Sequence, residues 1–198
     1  MKRSLLLLLA LLISRTVFAA EQHCVVPGKG YFRIHVGTAG LFGGLGHDHS
    51  IEAQKVMGCA VIDSNDVAHS SVRLEFSTAG IRVIDPKESA KDRAEVQKTM
   101  ETEVLRVSEY PLVTFESTGV EPDGALNRLR LRGNLTIRGK TLPVIIPLTV
   151  TRLTDGTYRA EGQYKFKQSS FLIKPIQLAG GAVKVKDELQ TEFELFLK

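Results

Sequence analysis

Hydrophobic residues occupy every second position in eight separate runs of this chain. In the run 126–138, the odd positions from 129 to 137 carry leucine, isoleucine or glycine, and the even positions from 128 to 134 carry arginine or asparagine. A period of two is typical of β-strands that have one apolar face and one polar face. The predicted strands are 30–37, 47–63, 70–83, 111–120, 126–138, 141–152, 156–167 and 183–197.

Short links between these runs indicate that neighbouring strands are antiparallel. Turn-forming residues join several of them, as in Arg138-Gly139-Lys140 and Thr154-Asp155-Gly156. Eight amphipathic strands have exposed edges unless the sheet closes on itself, and a barrel of this size encloses either side chains or one small ligand. We therefore predict an all-β fold built on an eight-stranded antiparallel barrel. Pro143 and Pro147 predict that their strand is an edge strand or is strongly bent.

Two stretches interrupt the alternation. The segment from Pro86 to Glu103 is rich in Lys, Glu, Ala and Gln, and Pro86 suits a first helical turn. We predict a helical insertion at about 88–104, between strands 3 and 4. Because its apolar positions are few, it should lie on the surface or over one end of the barrel. The segment Gln168–Ala182 is a second long connection, with apolar residues that can cover an opening.

The first nineteen residues have the features of a secretory signal peptide. Two basic residues precede an apolar core at Leu5–Ile13, and Val17-Phe18-Ala19 provides a small-residue cleavage pattern. We predict a signal peptide at 1–19, a single mature domain at 20–198, and export to the periplasm if the source is a Gram-negative bacterium. The alternative is an uncleaved membrane anchor.

Removal of the signal peptide changes the charge balance. The full chain has 26 basic and 22 acidic residues, but three basic residues and no acidic one lie within 1–19. The mature domain therefore has a net charge of about +1. A charge this small does not favour a nucleic acid or an anionic membrane as a partner, and we predict no nucleic-acid partner.

The chain has two cysteines, Cys24 and Cys59, and an oxidising compartment would allow them to pair. If the first two predicted strands pair around a turn near Leu41-Phe42, the numbers of partner positions add up to about 83, as do those of the two cysteines. Both cysteines also share the parity of the apolar positions in their strands. We predict a structural disulfide between Cys24 and Cys59, with free thiols as the alternative.

Several segments resemble the signatures of a known family. Val104–Ser117 and Gly133–Thr141 resemble the segments by which YceI-like proteins are identified, and Val183–Leu189 is similar to their closing sequence. The resemblance runs from about Tyr31 to the end of the chain. It implies a lipocalin-like barrel with a long internal tunnel, export to the periplasm, and binding of a polyisoprenoid lipid or an isoprenoid quinone. The chain departs from many members at Gln168–Leu172, where they have Arg-Ser-Asp-Phe-Gly.

The strand residues that are predicted to face inward form a large apolar surface. A large, inward-facing apolar surface is the feature that a binding function requires. Small residues such as Gly133, Ala160 and Gly162 are interspersed with aromatic ones. We expect this mixture to leave room for a chain-like guest, although it also suits a filled core. The residues predicted to line the tunnel are Phe32, Ile34, Val36, Phe76, Phe115, Leu131, Ile146, Tyr158, Tyr164, Phe166 and Phe193.

Two histidines provide candidate chemistry at the mouth of the tunnel. On a strand, His47 and His49 point to the same face, on the side of the apolar residues. Three interpretations stay open: a structural pair that lines the mouth, contact with a quinone carbonyl or a polar lipid head, and coordination of zinc, copper or haem iron. The sequence shows no third or fourth ligand nearby, so His47 and His49 are only weak metal candidates.

No enzyme motif assembles in this chain. The sequence lacks Gly-x-Ser-x-Gly, a Walker loop and His-Glu-x-x-His. We predict a non-enzymatic protein that holds an isoprenoid lipid or quinone as a carrier or reservoir, with no cofactor besides that ligand. One alternative is a metal- or haem-binding redox accessory of an inner-membrane redox protein. Another is a structural or stress protein whose barrel is full. A monomer and a homodimer both remain open.

Overall fold

The computed structural model describes residues 20–39, 48–86, 88–178 and 183–198. The predicted signal peptide, 1–19, lies outside the described residues. The described part of the chain consists mainly of β-strands, with one short α-helix. None of its helices combines the length and apolar character that crossing a membrane requires.

A closed antiparallel sheet dominates the fold. Eight strands of this sheet, in the order β1-β4-β5-β7-β8-β9-β10-β13, are hydrogen-bonded neighbours, and β13 pairs with β1 to close the ring. This confirms the predicted eight-stranded antiparallel lipocalin-like barrel. The strands of the described residues are β1 Glu21–Val36, β2 Thr38–Ala39, β3 His49–Ala53, β4 Val56–Ile62, β5 Ser71–Ser77, β6 Ile81–Val83, β7 Leu112–Pro122, β8 Arg128–Ile137, β9 Lys140–Arg152, β10 Tyr158–Lys167, β11 Gln177–Leu178, β12 Val183–Val185 and β13 Glu188–Leu197.

The second and third predicted strands are each divided into two. Gln54-Lys55 separates β3 from β4, and a 3-10 turn at Thr78–Gly80 separates β5 from β6. The two breaks are hydrogen-bonded to each other. The Gln54 N–H donates to the Gly80 carbonyl at 2.9 Å, and the Ser77 N–H donates to the Lys55 carbonyl at 3.1 Å. As a result, β3 and β6 leave the closed ring and extend the sheet beside β1.

The first strand begins before its predicted start and changes register along its length. Cys24 stands directly opposite Cys59 on β4, and a disulfide joins the two residues. Further along β1, Arg33 stands opposite Glu52 on β3, so the register has shifted by two residues. Because the shift is even, the apolar positions face inward on both sides of the irregularity.

The proline-containing strand β9 is paired on both sides over only part of its length. β8 pairs with it from Lys140 to Thr149, whereas β10 pairs with it only from Leu148 onward. Pro143 and Pro147 lie in the half that has a partner on one side only, where a residue without an N–H is tolerated. The prediction of an edge strand therefore describes half of β9.

The predicted helical insertion follows β6 and precedes β7. It consists of α1, Ala90–Thr99, and a π-helical turn, Met100–Val104. The Ser89 side chain caps α1 by accepting a backbone N–H of the first turn. Met100 is buried in an apolar cluster with residues of β3, β5 and β6. The insertion thus packs against one end of the barrel.

The connection after β10 packs against the same end. Phe171 and Ile173 are 2% and 4% exposed, and they cluster with Ile137 of the barrel and Val104 of the insertion. The prediction that this connection covers an opening therefore agrees with its packing.

A small second sheet divides the last predicted strand, 183–197. β12 pairs with β11 and β2 in a separate three-stranded sheet, whereas β13 belongs to the barrel. The division falls at Lys186-Asp187, because Gln168 bonds to both of these residues. Its side-chain amide donates to the Lys186 carbonyl at 2.9 Å, and its backbone N–H donates to the Asp187 carbonyl at 2.9 Å.

The apolar residues of the barrel do not form one central core. Buried side chains fall into four separate clusters along the wall. Inward-facing residues such as Phe32, Ile34 and Phe193 remain only partly buried. Protein interiors are normally close-packed, so partial exposure on the inner face indicates that the interior is hollow.

Candidate functional site

A cavity of about 990 Å³ occupies the interior of the barrel. Its lining includes Asp63 and Arg152 at the end where β4 and β9 finish, and His49 and Glu95 at the end covered by α1. The cavity therefore runs along the barrel from one end to the other. Its volume lies near the top of the range of about 300–1,000 Å³ that is typical of sites for small ligands.

The residues that strand parity assigns to the tunnel wall lie on the inner face of the barrel. All eleven side chains belong to the lining of this cavity, and they come from strands all around the barrel. Whether a ligand contacts them stays a prediction. They are Phe32, Ile34, Val36, Phe76, Phe115, Leu131, Ile146, Tyr158, Tyr164, Phe166 and Phe193.

Aromatic rings form much of the inner wall. Phe32 stacks on Phe193 with ring centroids 5.7 Å apart, and it meets Phe76 edge-on at 4.7 Å. Tyr164 stacks on Phe166 at 6.2 Å. The Tyr164 phenol is neutral at physiological pH, and burial raises its pKa further above the ordinary value of 10.0. The wall thus offers uncharged, polarisable surface to an occupant.

The small residues of the wall do not all leave room for a guest, which corrects the expectation from the sequence. A Cβ atom on Gly133 would lie 2.4 Å from the Phe115 ring, and a Cβ atom on Gly162 would lie 2.6 Å from the Phe193 ring. Both glycines instead let an aromatic ring lie close to the sheet. Ala160 differs from them, because it is partly buried and lines the cavity.

Charged lining residues are confined to the two ends of the cavity. Arg128 and Arg152 lie at the end near β4, whereas Asp92 and Glu95 of α1 lie at the other end. The side chains between the ends are apolar or neutral. A ligand with a long apolar chain and a polar head could therefore bury the chain and keep the head at an end.

Of the two histidines predicted at the mouth of the tunnel, the structure describes only His49. His47 lies outside the described residues. His49 lines the cavity, and its Nδ1 atom lies 3.1 Å from Asp85 Oδ2 and 3.1 Å from Glu88 Oε1. A third histidine, His35 of β1, lies on the outer face and pairs with Glu192 at 3.3 Å.

Sequence reasoning missed Asp85 and Glu88 as neighbours of His49. A signal for Asp85 exists in the register: Ile51 stands opposite Val83, so the same antiparallel pairing continued by two residues brings His49 opposite Asp85. Glu88 gives no comparable signal, because it lies in the loop before α1 and outside any strand.

Comparisons with known proteins agree with this architecture. A family model described as YceI-like domain matches residues 35–197. A UPF0312 protein of Azotobacter vinelandii is 33% identical over 110 residues, which cover 53% of this chain and 53% of that relative. The aligned part thus spans about half the length of that protein.

Two solved structures share the fold at low sequence identity. Burkholderia cenocepacia BcnA superposes with a TM-score of 0.70 and 21% identity, over 87% of this chain and 98% of that one. A polyisoprenoid binding domain from Saccharophagus degradans, described as implicated in plant cell wall breakdown, superposes with a TM-score of 0.64 and 10% identity, over 90% and 98% of the two chains. Because the family match covers nearly the whole barrel, the chain belongs to the YceI-like family.

Proposed function

We propose that this protein binds an isoprenoid lipid or an isoprenoid quinone in its barrel, and that it serves as a carrier or reservoir in the periplasm without covalent chemistry. The observation that carries the proposal is the end-to-end apolar cavity of about 990 Å³. The description of the Saccharophagus degradans neighbour as a polyisoprenoid binding domain supports the class of ligand. The signal-peptide pattern at 1–19 supports export.

The size of the cavity suits a chain of several prenyl units. At roughly 30 Å³ per non-hydrogen atom, about the share of one water molecule in the liquid, 990 Å³ holds about 33 atoms. This corresponds to about six five-carbon prenyl units. Each buried methylene contributes about 0.8 kcal/mol, so affinity should rise with chain length until the cavity is full.

Extraction of the purified protein tests the proposal. The mature chain, residues 20–198, would be exported to the periplasm of a Gram-negative host, purified without a tag and extracted with organic solvent for mass spectrometry. We expect a prenyl lipid or quinone near one equivalent per chain. A protein that carries no such lipid and also fails to bind an added six-unit prenol would contradict the proposal.

Fractionation tests the location separately. The full chain, expressed in the same host, should appear in the osmotic-shock fraction with Ala20 as its first residue. Retention of residues 1–19 in a membrane fraction would contradict cleavage and soluble export, while leaving the lipid-binding result unaffected.

A further inference from the structure

Three ligand-type side chains converge at the end of the barrel beside α1. His49 is on β3, Asp85 follows β6, and Glu88 lies in the loop before α1. One imidazole nitrogen and one oxygen from each carboxylate all lie within 4.8 Å of one another. The side chains are 18%, 11% and 9% exposed, respectively, so the group is largely withdrawn from water.

The two carboxylates of the group share a single imidazole nitrogen as their common contact. Nδ1 of His49 carries at most one proton, yet both carboxylates lie 3.1 Å from it. The second oxygen of Glu88, Oε2, is buried and has no hydrogen-bond partner in the described part of the chain. Burying an unsatisfied carboxylate oxygen is costly unless a cation or a donor meets it. The described residues therefore leave one buried carboxylate oxygen of this group that a bound cation would satisfy.

The surrounding backbone holds these side chains in place without satisfying them fully. Asp85 Oδ2 accepts the Ser50 N–H at 3.1 Å, which aligns the carboxylate beside His49. The Arg93 guanidinium donates to the backbone carbonyls of Asp85 and Glu88, at 2.9 Å and 2.6 Å. Arg93 therefore fixes the loop through its carbonyls, and the hydrogen bonds of its charged group go to those carbonyls.

We propose that His49, Asp85 and Glu88 form a site for one divalent transition-metal ion, with Zn²⁺ as its representative. Zinc binds imidazole nitrogen and carboxylate oxygen at about 2.0–2.2 Å, so ligand atoms around it lie roughly 3–3.6 Å apart. The two contacts of 3.1 Å to His49 Nδ1 match that spacing, and the two carboxylate oxygens lie within 4.8 Å of each other. The imidazole favours a transition metal over Mg²⁺ or Ca²⁺, which prefer oxygen ligands. Three protein ligands leave a fourth position for water or another oxygen donor.

This site is independent of the proposed lipid function, because none of its evidence depends on the occupant of the cavity. The proposed ligand set also differs from a His-x-His pair, since Asp85 and Glu88 come from the loop between β6 and α1. His49 nevertheless lines the cavity, so a bound ion would lie at its mouth.

Zinc titration tests the proposal. The tag-free mature protein would be treated with EDTA, freed of chelator and titrated with ZnCl₂ by calorimetry. We expect one equivalent to bind, and the variants His49→Gln and Glu88→Gln to bind at least about 100-fold more weakly, because even loss of a residue that only orients a ligand costs 10–100-fold. The matched control is His35→Gln, since His35 and Glu192 form another histidine–carboxylate pair, at 3.3 Å, on the outer face.

Three titration outcomes would overturn the site. The first is no stoichiometric zinc binding by the unmutated protein. The second is equal zinc affinity in His49→Gln and the unmutated protein, and the third is loss of binding in His35→Gln. X-ray absorption of the zinc-loaded, unmutated protein gives a readout that does not depend on how the variants fold. We expect nitrogen and oxygen ligands with an imidazole signal, and a spectrum without imidazole would also refute the assignment.

Discussion

Replacement of Ala160 by phenylalanine should reduce the length of chain that the barrel can hold. Ala160 lies on β10, is partly buried and lines the cavity. The six ring carbons occupy about 180 Å³ at roughly 30 Å³ each, close to a fifth of the 990 Å³ cavity. The remaining space holds about 27 atoms, which is sufficient for a fifteen-carbon prenol and insufficient for a thirty-carbon one.

The expected magnitude follows from the part of the ligand that is expelled. One five-carbon unit left in water forfeits up to about 4 kcal/mol at about 0.8 kcal/mol per carbon. Each 1.4 kcal/mol is a tenfold change, so hexaprenol should bind between about tenfold and about 700-fold more weakly. Farnesol, the fifteen-carbon prenol, should keep its affinity within about threefold, because it still fits in the reduced cavity.

Displacement of the fluorescent probe N-phenyl-1-naphthylamine measures both affinities, with each prenol delivered from cyclodextrin. The matched control is Gln163→Phe, which adds the same ring to an exposed position of the same strand. Thermal unfolding checks that both variants fold. Equal losses for the two prenols would refute a capacity limit, and so would an unchanged affinity for hexaprenol or the same effect from Gln163→Phe.

Three further perturbations test the wall and its closures. Replacing Cys24 and Cys59 by serine should lower the free energy of unfolding by about 4 kcal/mol in denaturant titrations, since the disulfide closes a loop with a sequence separation of 35. Gly162→Ala should destabilise the barrel by about 1–3 kcal/mol, because the new Cβ would lie 2.6 Å from Phe193 and 2.7 Å from a backbone oxygen. Hydrogen bonds from Ser169 hold the pKa of Asp187 below its ordinary value of 3.8, so the stability that they add is present above that value and is lost as pH falls through the lowered pKa. Amide exchange, corrected for intrinsic rates, should then show loosening of the 168–171 turn.

Each of these perturbations has its own control. Dithiothreitol should reproduce the effect of the double serine variant, and an unchanged unfolding curve in reductant would contradict a stabilising disulfide. Gly119→Ala is the control for Gly162→Ala, since no atom lies within 4 Å of its new Cβ; equal destabilisation by both would exclude the ring contact as the cause. Asp187→Asn at neutral pH should loosen the same turn, and normal protection in that variant would refute the role of Asp187.

Strand alternation predicted the direction of each side chain better than the limits of each strand. All eleven residues that parity assigns to the inner face line the cavity. An even shift of register, such as the shift of two residues between Cys24 and Arg33, leaves the same side chains facing inward. The division of the second and third predicted strands could not be predicted from the pattern. It depends on one hydrogen bond from Gln54 to Gly80 and another from Ser77 to Lys55. The residues of each pair are far apart in sequence and meet only when the sheet has formed.

The neighbours of His49 were likewise hard to predict, because they are distant from it in sequence. A local motif, His-x-His, drew attention to His47 and His49, but the side chains that meet His49 come from across the sheet and from a loop. The position of Asp85 opposite His49 can be inferred only from the pairing of β3 with β6. The sequence pattern does not show β6 as a separate strand, because it merges β6 into the longer predicted strand 70–83. Glu88 depends on the path of the loop before α1, which carries no periodic signal.

The hollow interior depends on where the glycines stand. Parity assigns many large side chains to the inner face, and such a set could fill a barrel of eight strands. The rings of Phe115 and Phe193 instead lie in the space that a Cβ atom on Gly133 or Gly162 would occupy. Two large rings are thereby held against the wall rather than projecting across the barrel. Gly133 and Phe115 lie on neighbouring strands and are not directly opposite each other, so their contact becomes visible only when the register between β7 and β8 is known.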